Sequence, residues 1–130
     1  MKTAINWFEV PVHDFERALR FYETVLGASL QTDTSSTRPG AVPMAFFSNG
    51  TSPSGALVKD PRFKPGADGP VIYLDTDGTF DACVRRVEAA GGKVILPVTD
   101  LGEHGRFALV LDTEGNRVAL HDATSAAARR

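Results

Sequence analysis

The 130-residue chain has one cysteine, Cys83, so no internal disulfide can form and a reducing compartment suits it. No apolar run approaches the roughly 20 residues that a membrane-spanning helix requires. Residues 1–20 mix charges with apolar positions where a secretory leader would show an unbroken apolar segment. An excess of either charge is missing as well. A net charge of −2 and a pI near 5.9 offer no broad basic face to nucleic acid or to an anionic membrane surface. No glycine-rich loop matches a nucleotide-binding fingerprint. What these absences leave is a cytoplasmic globular protein, and at 42% apolar residues it can bury a core of its own.

What is present repeats. A strand at "NWFEVPV" (6–12) precedes Asp14, a helix cap, and the helix "FERALRFYETVL" (15–26). Phe15, Ala18, Leu19, Tyr22, Val25 and Leu26 form its apolar stripe, and Gly27 ends it. Strand-like runs follow at 28–34, 41–48 and 55–60, punctuated by "STRPG" (36–40) and "NGTSPSG" (49–55). After a breaker-rich linker over about 61–69 the order restarts. A strand at "VIYLDTD" (71–77) leads to a helix at "TFDACVRRVEAA" (79–90), then to strands "KVILP", "RFALVLD" and "RVALHD". The chain therefore reads as a weak internal duplication. Its modules span about 4–60 and 70–122, with a tail at 123–130. The expected fold is α+β, two βαβββ modules forming a cupped mixed sheet with the helices on its outer face.

In the first strand Phe8, Val10 and Val12 share one face, as a core demands, while Trp7 and Glu9 share the other. An indole and a carboxylate together suit neither bulk water nor a packed interior, so they are expected to look into the concavity. In the fourth strand Leu57 and Lys59 are placed on that side, and in the fifth Val71, Tyr73 and Asp75. Taking Glu114-Gly115 as a two-residue hairpin loop pairs Leu111 with Val118 and Ala108 with His121. The concave face then carries Arg106, Ala108, Val110, Arg117, Ala119 and His121.

The stretch "VHDFERALRFYETVLG", with "FY" at 21–22, "LG" at 26–27 and the closing "DTEGNRVAL" (112–120), resembles the vicinal oxygen chelate superfamily. This is the group of glyoxalases, bleomycin resistance proteins and extradiol dioxygenases. The resemblance covers nearly the whole chain and implies paired βαβββ modules around a cup, a homodimer, and a small-molecule substrate or ligand. It also implies a divalent metal held by His and Glu at four places, which carry over to Trp7, on or beside Leu57, near Val71, and Ala119. Indole nitrogen is only a donor and the other three side chains are aliphatic, so no metal or other cofactor is expected.

The candidates for chemistry are then Glu9 and His104 as catalytic groups, with Trp7, Lys59, Tyr73, Glu103 and His121 as ligand contacts. Glu9 can act as a general base or hold a ligand amine or hydroxyl; its structural alternative is a bridge to Lys59, Arg106 or Arg117. Glu103-His104, between Gly102 and Gly105, suits a gate at the cup's mouth, or equally a solvated turn. Tyr73 and His121 either orient a ligand or fill space. Three functions stay open: a metal-independent lyase or isomerase, a sequestering protein of the antibiotic-resistance kind, and a dimeric accessory module.

Overall fold

Asp14 sets the first helix in place. The computed structural model describes residues 4–35, 37–48 and 50–130, so residues 1–3 and Ser36 and Asn49 of the two expected turns lie outside it. Asp14 has extended backbone and its Oδ1 accepts from Arg17 N at 3.0 Å, satisfying one of the free amides that begin α1 (Phe15–Leu26). Gly27, at φ +68°, closes the helix in the left-handed conformation that glycine adopts without strain, its N–H returning to Glu23 O at 2.9 Å. The buried face is Phe15, Ala18, Phe21, Tyr22 and Val25. Phe21 stands outside the expected stripe, yet it is only 2% exposed because it packs on the second half of the chain. A methyl group on Gly92 would sit 2.5 Å from the Phe21 ring and 2.5 Å from Leu111 O, so this approach needs glycine.

Each half closes a sheet of its own. β1 (Phe8–Pro11), β2 (Gln31–Asp33), β3 (Met44–Ser48) and β4 (Pro53–Val58) stand in the order β1-β4-β3-β2, with β1 parallel to β4. In the second half β5 (Ile72–Asp75), β6 (Lys93–Asp100), β7 (Arg106–Leu111) and β8 (Arg117–Asp122) repeat that plan as β5-β8-β7-β6, with β5 parallel to β8. A parallel pair needs a crossover, and α1 and α2 (Phe80–Arg86) begin the two crossovers. The α+β fold of two βαβββ modules is thus present. α2 ends at Arg86, four residues short of the expected limit, and turns continue the chain to Gly91. A 3-10 turn at Gly102–His104 and α3 (Ala126–Arg129) complete the elements.

One apolar core runs through both halves. It takes Val10, Val12, Phe21 and Tyr22 from the first and Leu74, Phe80, Val110 and Leu120 from the second. Leu57, expected on the concave side, is fully buried in this core opposite Val10. Its neighbours Ala56 and Val58 take the other face of β4 and are buried as well, Val58 lining hollows beside β1. Lys59 lies just past the strand and is exposed.

The last hairpin differs from the expected register by one residue. Leu111 pairs with Arg117, Leu109 with Ala119 and Phe107 with His121. The loop runs from Asp112 to Asn116 because Asp112 Oδ1 accepts from Glu114 N at 2.8 Å and Asn116 N at 2.9 Å, holding a longer turn. A one-residue slip moves every side chain of a strand to the opposite face. Ala108 and Val110 therefore belong to the core, and Phe107, Leu109 and Leu111 to the open face of the second sheet. Arg106 also leaves the concave face. Its guanidinium lies 4.7 Å over the Phe80 ring and reaches Asp122 and Asp81 at 3.1 and 3.3 Å.

Cys83 is fully buried on α2. It is expected to resist a thiol reagent such as Ellman's in the folded protein and to react as one equivalent on unfolding. Rapid labelling under native conditions would contradict this packing.

Candidate functional site

β1 presents Glu9 beside Ala56 of β4, and Phe46 of β3 stands on the other side of Ala56. Ala56 between them is fully buried. Trp7 lies 6.2 Å from the Phe46 ring and donates its indole N–H to Glu9 Oε2 at 3.3 Å. None of the cations expected as a bridge partner makes an ion pair with Glu9 among the described residues. The nearby cation is Arg62, on which Glu9 acts less strongly than Asp60, the carboxylate that holds it. Arg62 gives Nε to Asp60 Oδ1 at 3.0 Å and NH2 to Asp60 Oδ2 at 2.7 Å. These bonds keep the Asp60 carboxyl below its usual range and raise the Arg62 guanidinium further above neutrality.

Glu9 lines two adjoining hollows. The smaller, about 200 Å³, is walled by Arg38, Met44, Val58, Asp60 and Arg62. The larger, about 460 Å³, is lined by Glu9, Pro11, Val58, Arg62, Phe63 and Lys64. A third, about 560 Å³, lies beyond Phe63 and Lys64 and takes in His13 and Lys59. All three are formed by the first half and the linker, not between the halves as the sequence suggests.

The remaining candidates gather on the second sheet. Tyr73, about half exposed, has its ring 5.8 Å from Phe107 and 5.8 Å from His121. His121 Nε2 lies 3.0 Å from His104 O. The His121 ring meets this carbonyl because the 3-10 turn folds back over the end of β8. The Glu103 and His104 side chains face solvent and pair with each other at 3.4 Å, being 84% and 78% exposed. The structure thus assembles Trp7 with Glu9, leaves Lys59 outside both Glu9 hollows, and separately groups Tyr73 with His121, which meets only the backbone carbonyl of His104. Phe46, Arg62, Phe63 and Lys64 escaped the sequence reading. Alternation within "AVPMAFFS" could have exposed Phe46, since it shares a face with Met44.

The four places that carry over from the metal-dependent relatives do not fit a cation. Leu57 is sealed in the core, Ala119 is flanked by Tyr73 and Leu109, and neither they nor Val71 carry a lone pair. Trp7 offers a donor already used on Glu9. Among the described residues, no group of three or more His, Cys, Asp or Glu is positioned to hold a metal ion. No helix among them is long and apolar enough to cross a membrane.

Similar proteins share this plan. A Glyoxylase-like domain-containing protein of Didymella fabae is 31% identical over 118 residues, covering 89% of this chain and 91% of the relative. Two longer relatives, from Mycobacterium bovis and Mycobacterium tuberculosis, are 29% identical, and the chain spans 45% of their length. Among solved structures, a glyoxalase/bleomycin resistance protein from Albidiferax ferrireducens T118 superposes with a TM-score of 0.69 at 19% identity, covering 91% of this chain and 97% of that one. TnmS3, an antibiotic binding protein from Streptomyces sp. CB03234, does so with a TM-score of 0.63 at 25% identity, covering 94% and 97%. A family model matches residues 4–120, and on that match the chain belongs to the Glyoxalase/Bleomycin resistance protein/Dioxygenase superfamily.

Proposed function

We propose that the protein binds a small organic molecule, without a metal, in the hollows beside Glu9. The observation that carries this reading is the position of Glu9. Its carboxylate lines two adjoining hollows, bonded by an indole N–H and free of any ion pair among the described residues. Phe63 offers an aromatic wall to both hollows, Met44 and Val58 an apolar floor, and Glu9 an acceptor that fixes orientation. The resemblance to an antibiotic binding protein supports sequestration as the purpose.

Trp7 is the only tryptophan and its indole N–H is bonded to Glu9, so a change in indole emission reports on this site through that carboxylate. Titration with metal-free bleomycin and a panel of aromatic antibiotics is expected to shift that emission for at least one member. At 100 times its Kd such a ligand should add about 2.7 kcal/mol to stability. Phe63→Ala, at a ring that lines both hollows, should weaken binding about tenfold, the order of one lost aromatic contact. A panel that leaves both emission and melting temperature unmoved would remove the proposal.

A lyase or isomerase reaction with Glu9 as base is the second reading, favoured by the exposure of its carboxylate to the hollows. In that version Glu9→Gln retains binding and abolishes turnover. His104 as its acid partner would have to reach Glu9 from the second sheet, so sequestration is the simpler assignment. Homodimerisation is proposed on the exposed apolar side chains of that sheet, Tyr73, Leu96 and Val98, and light scattering would measure it. A cytoplasmic location is proposed on the buried reduced thiol of Cys83.

A further inference from the structure

We infer that the molecule held beside Glu9 is amphoteric, carrying a cationic or donor group for Glu9 and an anionic group for Lys64, which lines the same hollow. This rests on the binding reading above and adds the ligand's chemical class. The larger hollow has three charged walls, Glu9, Arg62 and Lys64, and they are not equivalent. Arg62 is balanced by its own partner, because its Nε and NH2 are both committed to the Asp60 carboxylate and its guanidinium caps the Phe63 ring at 5.3 Å. Glu9 accepts one bond from Trp7, while a carboxylate has room for about four. Lys64 forms no ion pair with any described residue and is exposed. Two charges of opposite sign are therefore left to face the same space, with Phe63, Val58 and Pro11 lining it.

Neither singly charged class fits as well. A simple organic cation would satisfy Glu9 but bring a positive charge beside Lys64, with Lys59 in the adjoining hollow. A simple anion would meet Lys64 while its other end left Glu9 without a new donor. An aromatic molecule with an ammonium at one end and a carboxylate at the other satisfies both charges and lays its ring on Phe63. Charge-assisted bonds are worth roughly 1.5–3 kcal/mol, so each matched end should contribute about tenfold in affinity.

The test uses the full chain and four probes of one shape: 4-(aminomethyl)benzoate, benzylamine, 4-methylbenzoate and uncharged 4-methylbenzyl alcohol. Binding is read by ligand-observed NMR and by Trp7 emission. The zwitterion should bind about tenfold tighter than either singly charged probe. Glu9→Gln should reduce the zwitterion to the affinity of 4-methylbenzoate, and Lys64→Gln should reduce it to that of benzylamine. Equal binding of all four probes would overturn the amphoteric assignment and leave the binding site standing. Discrimination of one charge only would overturn it too. Binding of no probe, together with failure of the antibiotic panel, would remove both readings.

Discussion

Asp112→Ala is expected to cost roughly 4 kcal/mol, since breaking a buried, fully partnered carboxylate falls among the largest single-residue effects. Asp112 is 4% exposed. Its Oδ2 accepts from the buried Tyr22 hydroxyl at 2.6 Å and from Asn116 Nδ2 at 3.0 Å, and its Oδ1 holds two amides of the β7–β8 loop. Asn116 Nδ2 also donates to Pro11 O at 2.8 Å, tying that loop to the end of β1. Truncation would orphan four donors, and a small domain has only about 5–15 kcal/mol in total. The melting temperature should fall by more than about 10 °C. Tyr22→Phe removes one bond and keeps the ring, so a drop of about 1–2 kcal/mol is expected. Burial, reinforced by Asp112, pushes the Tyr22 hydroxyl well above its ordinary range, so it stays a donor through neutral pH. Calorimetry showing the two variants equally stable would mean that Asp112 is not the hub of this network.

Glu114→Gln is expected to weaken the fold by about 2 kcal/mol at neutral pH and by almost nothing near pH 2, with the exposed partner Arg17 reducing the effect. The Glu114 carboxylate is covered and accepts from five donors: His13 N, Asp14 N, Arg17 Nε and NH2, and the Thr113 hydroxyl. Burial alone would push this carboxyl up. The bonds from Arg17, Asp14, Thr113 and His13 outweigh burial and hold it at about 2 against an ordinary 4.5. A depressed folded-state value means that the unfolded chain takes up the proton first as pH falls. The stabilisation is therefore complete above about pH 4.5 and is lost progressively down to about pH 2. Chemical denaturation of wild type and variant at pH 7, 4 and 2.5 should show curves that converge on acidification. A gap that persists at pH 2.5 would contradict the charge-based account.

The repeat, the helix caps and the succession of strands and helices along the chain were legible because they depend on short-range chemistry: Asp14, Gly27 and the alternation in β1 each act over one or two turns of chain. Trp7 and Glu9 were legible as a pair for the same reason, being two apart on one strand. The hairpin register was not. It turns on Asp112 folding its side chain back onto the loop, and a two-residue turn fits the same letters. That slip carried Ala108 and Val110 to the wrong face. Phe21 was hidden because what buries it is Gly92, some 70 residues away, and helical spacing within α1 could not show that contact. Arg62, Phe63 and Lys64 were hidden in a segment that reads only as linker. Proline and glycine announce the bend there, but not that the segment returns to wall a hollow beside β1.

The matching strand orders place Glu9 and Tyr73 at corresponding stations, one beside Ala56 and the other beside Ala119. Each half keeps its ladder intact whatever stands there, since these side chains project away from the shared interior. Selectivity can therefore drift at one station while its counterpart stays put, and new specificities can be sampled without rebuilding the scaffold.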